Sequence, residues 1–351
     1  MSKKTPQPTD IDALLGPGPP AGLGKMQIMR WAAKNPPKDP QVSFAGKTVL
    51  VTGSNTGLGL EAALKFAAHN AQRVILAVRT PAKGEAAKKR IVAATGCPAS
   101  SIEVRQLDMS NFASVRSFAQ QLDAALPSGL DVALLNAGIA PPQYTVLPSG
   151  WEAGLQVNTL STALLAVMLM PLLKRSALGP GQLTMTGSFA HLYVEAADVP
   201  TVDPAHHERV LARISAAQSF HVEKSYNVLK LLTMYIMHGL ADEYCRNERG
   251  ELEVTVNVAC PGYCTTDLGR DFPWYISLPT KMMQMYCGRT AEEGSRSLVS
   301  ATLLGQRGHG VFWTNDTFTT QGEFVTSDQG KKLQAQAWKE IHEICKTEMA
   351  K

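Results

Sequence analysis

Apolar residues fall along the chain in two alternating kinds of run. Short runs rich in β-branched side chains predict strands at Lys47–Thr52, Arg73–Val78, Ile102–Gln106, Val132–Asn136, Gln182–Thr186, Glu253–Ala259 and Gly310–Trp313. Between them, apolar residues at helical spacing predict helices over Gly59–Asn70, Lys83–Ala94, Asn111–Ala125, Gly150–Lys174, Val222–Tyr244 and Thr290–Leu304. This alternation predicts an α/β fold with a single doubly wound parallel sheet and helices on both faces. Val132-Ala-Leu-Leu135 is apolar at every position, as a strand buried on both sides requires. Residues 1–43 differ: breaker clusters at Gly16–Pro20 and Asn35–Pro40 flank a short amphipathic stretch, Met26–Ala33. Two readings stay open for this Pro-rich extension, a segment draped over the main domain (residues 44–351) or a flexible tail.

Composition narrows the classes of function. The apolar fraction of 44% supports a large core, and a net charge of +4 with mixed signs leaves no basic stripe for nucleic acid. Lys83 to Arg90 reads as a solvated helix face. The six cysteines form neither a disulfide framework nor a C-x-x-C pattern, so reduced thiols and a cytoplasmic location are expected. The first residues lack the apolar core of a secretory signal. Ala163–Leu173 is too short to span a bilayer and contains Pro171, so it reads as a buried helix rather than a membrane span. His191, His206, His207 and His221 offer no set of three converging ligands, and no metal site is expected.

The chemistry gathers where the strands end. The first strand runs into Gly53, Ser54, Asn55, Thr56, Gly57, Leu58 and Gly59, a T-G-x-x-x-G-x-G turn that opens a helix. Glycines let the backbone approach a pyrophosphate, and the helix start offers free N–H groups. Such a turn alone also serves as an ordinary strand-to-helix connection. The other strand ends are polar or Gly-rich as well: Arg79-Thr80, Asp108-Met109, Asn136-Ala137-Gly138, Gly187-Ser188 and Pro261-Gly262. In an open sheet, ligands bind beyond these carboxyl ends. Arg79 stands where an acidic residue would bind the ribose 2′-hydroxyl of NAD. No acidic residue lies between Arg73 and Ala82, so NADP(H) is favoured over NAD. Tyr226 and Lys230 lie four apart on one helical face, so the ammonium is expected to lower the phenol pKa and make it a proton carrier. Taken alone, Tyr-x-x-x-Lys is equally an ordinary amphipathic helix.

The order of these motifs, from the glycine loop through Asn136-Ala-Gly, Asn158, Ser188 and Tyr226/Lys230 to Pro261-Gly262, resembles the short-chain dehydrogenase/reductase family. The resemblance covers roughly residues 44 to 345. It is narrower toward retinol-dehydrogenase-like and fungal secondary-metabolite reductases, through Ser43–Gly59 and Gly288-Arg-Thr-Ala-Glu-Glu-Gly-Ser295. It implies a Rossmann-like fold, with Tyr226 as general acid/base and Lys230 tuning it and holding the nicotinamide ribose. Ser188 would bind the substrate oxygen, and Asn158 would support a water relay to the lysine. Asn136, Ala137 and Gly138 would lie beside the cofactor, Asp108 and Met109 at the adenine, and Pro261, Gly262 and Thr265 around the nicotinamide amide. A homodimer through the helices led by Asn158 and Val222 is also implied, unless the insertion or tail blocks it.

Three departures stand out. Gly187 replaces a second serine, Leu229 replaces a small residue, and Ser188 and Tyr226 are 38 positions apart, which marks residues 194–220 as an insertion at the mouth of the site. Residues 266–287, rich in Trp, Tyr, Leu and Met, read as a substrate lid or as a helix packed on the core or a partner. The expected activity is NADPH-dependent reduction of a ketone or aldehyde, or the reverse alcohol oxidation, on a hydrophobic, aromatic or polyketide-like substrate. Isomerisation or dehydration on the same fold, and a non-catalytic dinucleotide-binding protein, are the alternatives.

Overall fold

The computed structural model describes residues 11–200, 209–269 and 272–351. Its strands are β1 (Thr48–Thr52), β2 (Arg73–Val78), β3 (Ile102–Gln106), β4 (Val132–Leu135), β5 (Gly181–Thr186), β6 (Val254–Cys260), β7 (Phe312–Thr314) and β8 (Thr317–Thr319). They form one sheet in the order β3-β2-β1-β4-β5-β6-β7-β8. All pairings through β7 are parallel, and β8 returns antiparallel to β7. The single doubly wound parallel sheet expected from the sequence is present, with β8 added as one antiparallel edge strand. Asn315 and Asp316, with φ of 51° and 56°, make the tight left-handed turn that a two-residue hairpin needs. With three polar or aromatic residues and no apolar run, β8 gives no strand signal of its own.

The sheet is buried on both faces, and successive residues feed two separate cores. Leu50, Ile75, Ala77, Ala133 and Leu135 point to one core, while Val49, Val51, Val74, Leu76, Val132 and Leu134 point to the other. The second core is closed by helices Gly57–Ala68, Pro81–Thr95 and Ala291–Ala301, with Phe44 and Leu14 packed into it. Helices Phe112–Ala125, Ser161–Lys174 and Val222–Glu243 close the first core. Ala153–Lys174, the one helical stretch among the described residues long and apolar enough to cross a membrane, is almost wholly covered by protein here.

A further helix, Asp328–Met349, lies outside the expected pattern. Its stripe of Leu333, Ala337, Ile341 and Cys345 recurs every fourth residue, but the intervening positions are strongly polar. Ser327 caps it by accepting from the Gly330 N–H. The helix packs on Ser161–Lys174 and Val222–Glu243. Trp338 donates to Glu243 at 2.7 Å, Arg116 pairs with Glu348, and the Glu340 carboxylate accepts from the N–H groups of Val210 and Leu211 at 2.9 Å each. That last contact ties the expected insertion to the tail, through its short helix Val210–Ile214. The C-terminal helix therefore lies against both of the helices, led by Asn158 and Val222, through which the resemblance implies a homodimer.

Gly239 is where helices Val222–Glu243 and Asp328–Met349 approach most tightly, since a Cβ there would lie 2.1 Å from the Trp338 indole. Alanine in a helix is ordinarily favoured over glycine by about 1 kcal/mol. Here Gly239→Ala is expected to lose about 1–3 kcal/mol instead, because the core is overpacked. Urea denaturation of the variant checks the sign.

Candidate active site

The site begins where β1 and β4 end side by side, at the point where the strand order reverses direction. The buried Thr52 hydroxyl accepts the N–H groups of Asn136 and Ala137, both at 2.9 Å, and Asn136 Nδ2 donates to the Thr52 carbonyl at 3.1 Å. Thr52 was not among the expected site residues, although it opens the T-G motif. Gly53 and Gly57 have φ of 65° and 57°, which side chains with a Cβ rarely adopt. A Cβ on Gly59 would sit 2.5 Å from the Gly53 carbonyl and 2.6 Å from Asn136 Nδ2. Asn55, Thr56 and Leu58 are half-buried along the same turn. Ser54 is fully buried, yet its hydroxyl has no partner among the described residues. A buried, unsatisfied hydroxyl beside the free N–H groups of a helix start fits a bound phosphate.

Arg79 follows β2 and is exposed, with no hydrogen bond or ion pair to its guanidinium among the described residues. After β3, Asp108 Oδ1 accepts from the Ser110 N–H (2.9 Å) and hydroxyl (2.7 Å), and Met109 is buried. Asp108 thus holds its own turn with one oxygen and keeps Oδ2 out of that turn.

The expected helix Gly150–Lys174 is broken into Ala153–Leu155, a π-turn at Gln156–Leu160, and Ser161–Lys174. The π-turn carries Asn158, a placement often associated with functional residues. Asn158 Oδ1 accepts from the Ile139 N–H and its Nδ2 donates to the Ile139 carbonyl, both at 2.8 Å. These bonds fix the backbone just beyond Asn136-Ala137-Gly138. No hydrogen bond joins Asn158 to Lys230 among the described residues.

Ser188 follows β5. Its hydroxyl accepts from the Ala190 N–H at 3.1 Å, and His191 Nδ1 lies 2.6 Å from its carbonyl. That carbonyl only accepts, so Nδ1 carries the proton. Burial pushes the His191 pKa down, favouring a neutral ring. Gly187 has a steric cause, because a Cβ there would meet Val258 Cγ1 at 2.2 Å. The unusual Leu229 is accommodated by Gly154, whose Cβ would come within 2.9 Å of Leu229 Cδ1.

Helix Val222–Glu243 presents Tyr226 and Lys230 to Ser188. Lys230 Nζ donates to the Thr186 carbonyl at 2.8 Å and stands 5.6 Å from the centre of the Tyr226 ring. Burial pushes the ammonium down to about 8. Burial also drives the Tyr226 phenol above its ordinary value, only partly opposed by a hydrogen bond with Ser188. The expected lowering of the phenol is corrected: desolvation, the largest cause for both groups, disfavours the charged form of each. His221 caps this helix through a long contact from the Lys224 N–H. His206 and His207 lie outside the described residues.

Pro261, Gly262 and Thr265 follow β6. The Thr265 N–H donates to the Arg289 carbonyl, and the Arg289 N–H to the Tyr263 carbonyl, each at 2.8 Å. The Arg289 side chain, 1% exposed, is not among the expected site residues. Its guanidinium donates to the carbonyls of Pro261 (3.1 Å), Ala32 (2.9 Å) and Asn35 (3.2 Å) and to Asn315 Oδ1 (2.7 Å). It joins the loop after β6, the hairpin turn and the N-terminal helix Lys25–Lys34. Its sequence signal is Gly288-Arg-Thr, which lies within the stretch of family likeness. Cys260 and Cys264 adjoin this loop; burial pushes the Cys264 thiol up to about 12 and raises Cys260 too, so neither is a thiolate near neutral pH. The expected lid contains helix Trp274–Cys287, which packs against Lys25–Lys34.

A glycine loop at a sheet's switch point, with a hydroxyl, a phenol and an ammonium at neighbouring strand ends, defines a dinucleotide-binding oxidoreductase. The short chain dehydrogenase family model matches residues 47–196. The chain is 45% identical over 89% of its length to the short-chain dehydrogenase/reductase ffsI of Aspergillus flavipes, of which the match covers 89%. With phmF of Phaeosphaeria nodorum, also a short-chain dehydrogenase/reductase, identity is 40% over 92% of this chain and 93% of the relative. Among solved structures, an uncharacterised protein from Mycobacterium paratuberculosis superposes with a TM-score of 0.61 at 24% identity, over 90% of this chain and 97% of that one. The Pseudomonas aeruginosa RhlG/NADP active-site complex gives 0.56 at 25% identity, over 79% and 97%. The chain belongs to the short-chain dehydrogenase/reductase family and is an NAD(P)-dependent oxidoreductase.

Arg289→Met would remove four hydrogen bonds and leave the buried Asn315 Oδ1 and the Ala32 carbonyl without this donor, each costing about 1–3 kcal/mol. Arg289→Lys should rescue little, since an ammonium cannot span four acceptors in a planar fork. Thermal unfolding of both variants, and limited proteolysis of the released N-terminal helix, check this.

Proposed function

We propose that the protein reduces a ketone or aldehyde on a hydrophobic, aromatic or polyketide-like substrate with NADPH, and that the reverse alcohol oxidation uses the same groups. The observation that carries this reading is the convergence of Ser188, Tyr226 and Lys230 at the end of β5, beside the glycine loop. The loop residues Gly53–Gly59 would hold the pyrophosphate, Arg79 the 2′-phosphate, Asp108 and Met109 the adenine, and Asn136–Gly138, Pro261, Gly262 and Thr265 the nicotinamide half. NADPH supplies a hydride to the carbonyl carbon.

The remaining steps belong to the chain's own groups. Ser188 and Tyr226 hold the carbonyl oxygen by hydrogen bonds. The raised phenol is protonated at neutral pH, which is the form a reductase needs as its acid. Tyr226 passes its proton to the oxygen as negative charge develops there. The Lys230 ammonium then stabilises the phenolate left behind. Arg79 supports NADPH because an exposed, unengaged guanidinium suits a phosphate dianion. The NADP complex of the RhlG relative points the same way.

Tyr226→Phe should lower turnover by about a hundredfold or more while leaving NADPH binding intact, as measured by loss of NADPH absorbance and by fluorescence titration. Normal turnover in that variant sinks the assignment, and product formation without NADPH consumption indicates isomerisation or dehydration. Arg79→Ser should weaken NADPH by on the order of tenfold to a hundredfold and leave NADH unchanged.

The Lys230 pKa of about 8 sets a pH window. Below it the lysine is charged and favours the anionic cofactor. Above it the lysine is neutral, so the dissociation constant for NADPH should climb by up to about tenfold per pH unit. Lys230→Met should bind weakly throughout and lose that slope, as fluorescence titrations from acid to alkaline pH would show.

A further inference from the structure

The outward face of helix Trp274–Cys287 is apolar. Trp274, Leu278, Met282 and Met285 recur at helical spacing along it, with Tyr275 and Tyr286 alongside, and exposures run from 53% at Tyr286 to 82% at Met285. The opposite side is covered, with Cys287 buried and Ile276 and Met283 half-buried. An ordinary surface helix has the reverse arrangement. Contiguous exposed patches of this kind on soluble proteins mark interaction surfaces.

The charges around the patch are one-sided. The lid helix carries Lys281, and the helix packed against it, Lys25–Lys34, carries Lys25, Arg30 and Lys34; neither contains an Asp or Glu. Arg30 stands 4.1 Å from the Tyr286 ring centre, at the margin of the apolar face, and Met26 adds a further exposed apolar side chain. Aromatic and aliphatic residues on one face, on a pair of helices that carry cations and no carboxylate, match the chemistry of a helix lying in the interface of an anionic bilayer. A second copy of the chain suits the face poorly. Two-fold pairing would bring these cations together with no carboxylate from these helices between them.

We propose that helix Trp274–Cys287, supported by Lys25–Lys34, is a peripheral membrane-docking surface that lays the chain on anionic lipid. It adds a location to the chemistry proposed above and is tested without turnover. Full-length protein is sedimented with vesicles of phosphatidylcholine alone, and of phosphatidylcholine mixed with phosphatidylserine. Binding to the mixed vesicles is expected, weakened by added salt as surface charges are screened. Trp274→Ser combined with Met285→Ser should abolish it, and Lys34→Gln or Lys281→Gln should each weaken it about fivefold. All the substituted positions are exposed, so unchanged thermal unfolding midpoints confirm intact folding. The proposal is overturned if the protein stays in the supernatant with mixed vesicles, or if binding survives the Trp274/Met285 variant or ignores the phosphatidylserine. It is equally overturned if light scattering shows a dimer that this variant converts to a monomer, which would assign the face to a second copy.

Discussion

Burial of the sheet on both faces is the constraint from which the site follows. Leu50 and Val51 are adjacent, yet each lies fully buried in a different core. Along the strands, ladder hydrogen bonds consume the backbone polar groups, and side chains on either face must be apolar or satisfied. Unclaimed donors and acceptors therefore collect where the ladder stops. At the carboxyl ends these are the Thr52 hydroxyl, the Thr186 carbonyl and the amides of the glycine loop. Thr52 ties two such ends together, and Thr186 anchors Lys230. The distances among the reacting groups are thus set by strand register and helix packing, and Gly154 and Gly187 show how closely that packing is cut.

The same dryness governs protonation. Burial moves Tyr226 up and Lys230 down, so each is pressed toward its neutral form. A Tyr-x-x-x-Lys spacing gives proximity, and proximity alone argues for a lowered phenol. Proximity loses here because desolvation of the buried phenol is the larger effect. The phenol therefore keeps its proton at neutral pH beside the Ser188 hydroxyl.

Most strands were legible because their apolar runs are bounded by glycines and prolines. Ile102–Gln106 and Arg73–Val78 appear with the expected bounds. Strand β8 was hidden because Thr317-Phe-Thr319 is too short to show alternation. The helix Asp328–Met349 was hidden for another reason: its narrow apolar stripe is diluted by charged residues on a solvated face. In the site, side chains at strand ends could be read from motif order, whereas Arg289 could not. Its partners are four acceptors drawn from three distant segments, and main-chain carbonyls leave no residue-type signature. The π-turn at Asn158 is likewise a backbone event inside an unbroken apolar run.

Arg289 also gives the N-terminal segment its place. Ala32 and Asn35 lie at the end of helix Lys25–Lys34, where carbonyls lack intrahelical donors and the helix dipole is negative. A guanidinium satisfies both carbonyls and, with its remaining donors, holds Pro261 and Asn315. A Cβ on Gly262, whose φ is 84°, would stand 2.7 Å from the same guanidinium, so the loop after β6 must pass close against it. Further contacts extend this seat: Lys65 pairs with Asp39 and Glu292, the Lys38 N–H donates to Asp316, and Arg296 donates to the Pro37 carbonyl. The segment is thus fixed by burial of Leu14, Ala32, Pro37 and Pro40 together with these polar contacts. Such contacts fix orientation more sharply than apolar burial, which tolerates sliding. One buried cation therefore couples the inner wall of the site to the helix that supports the lid from outside.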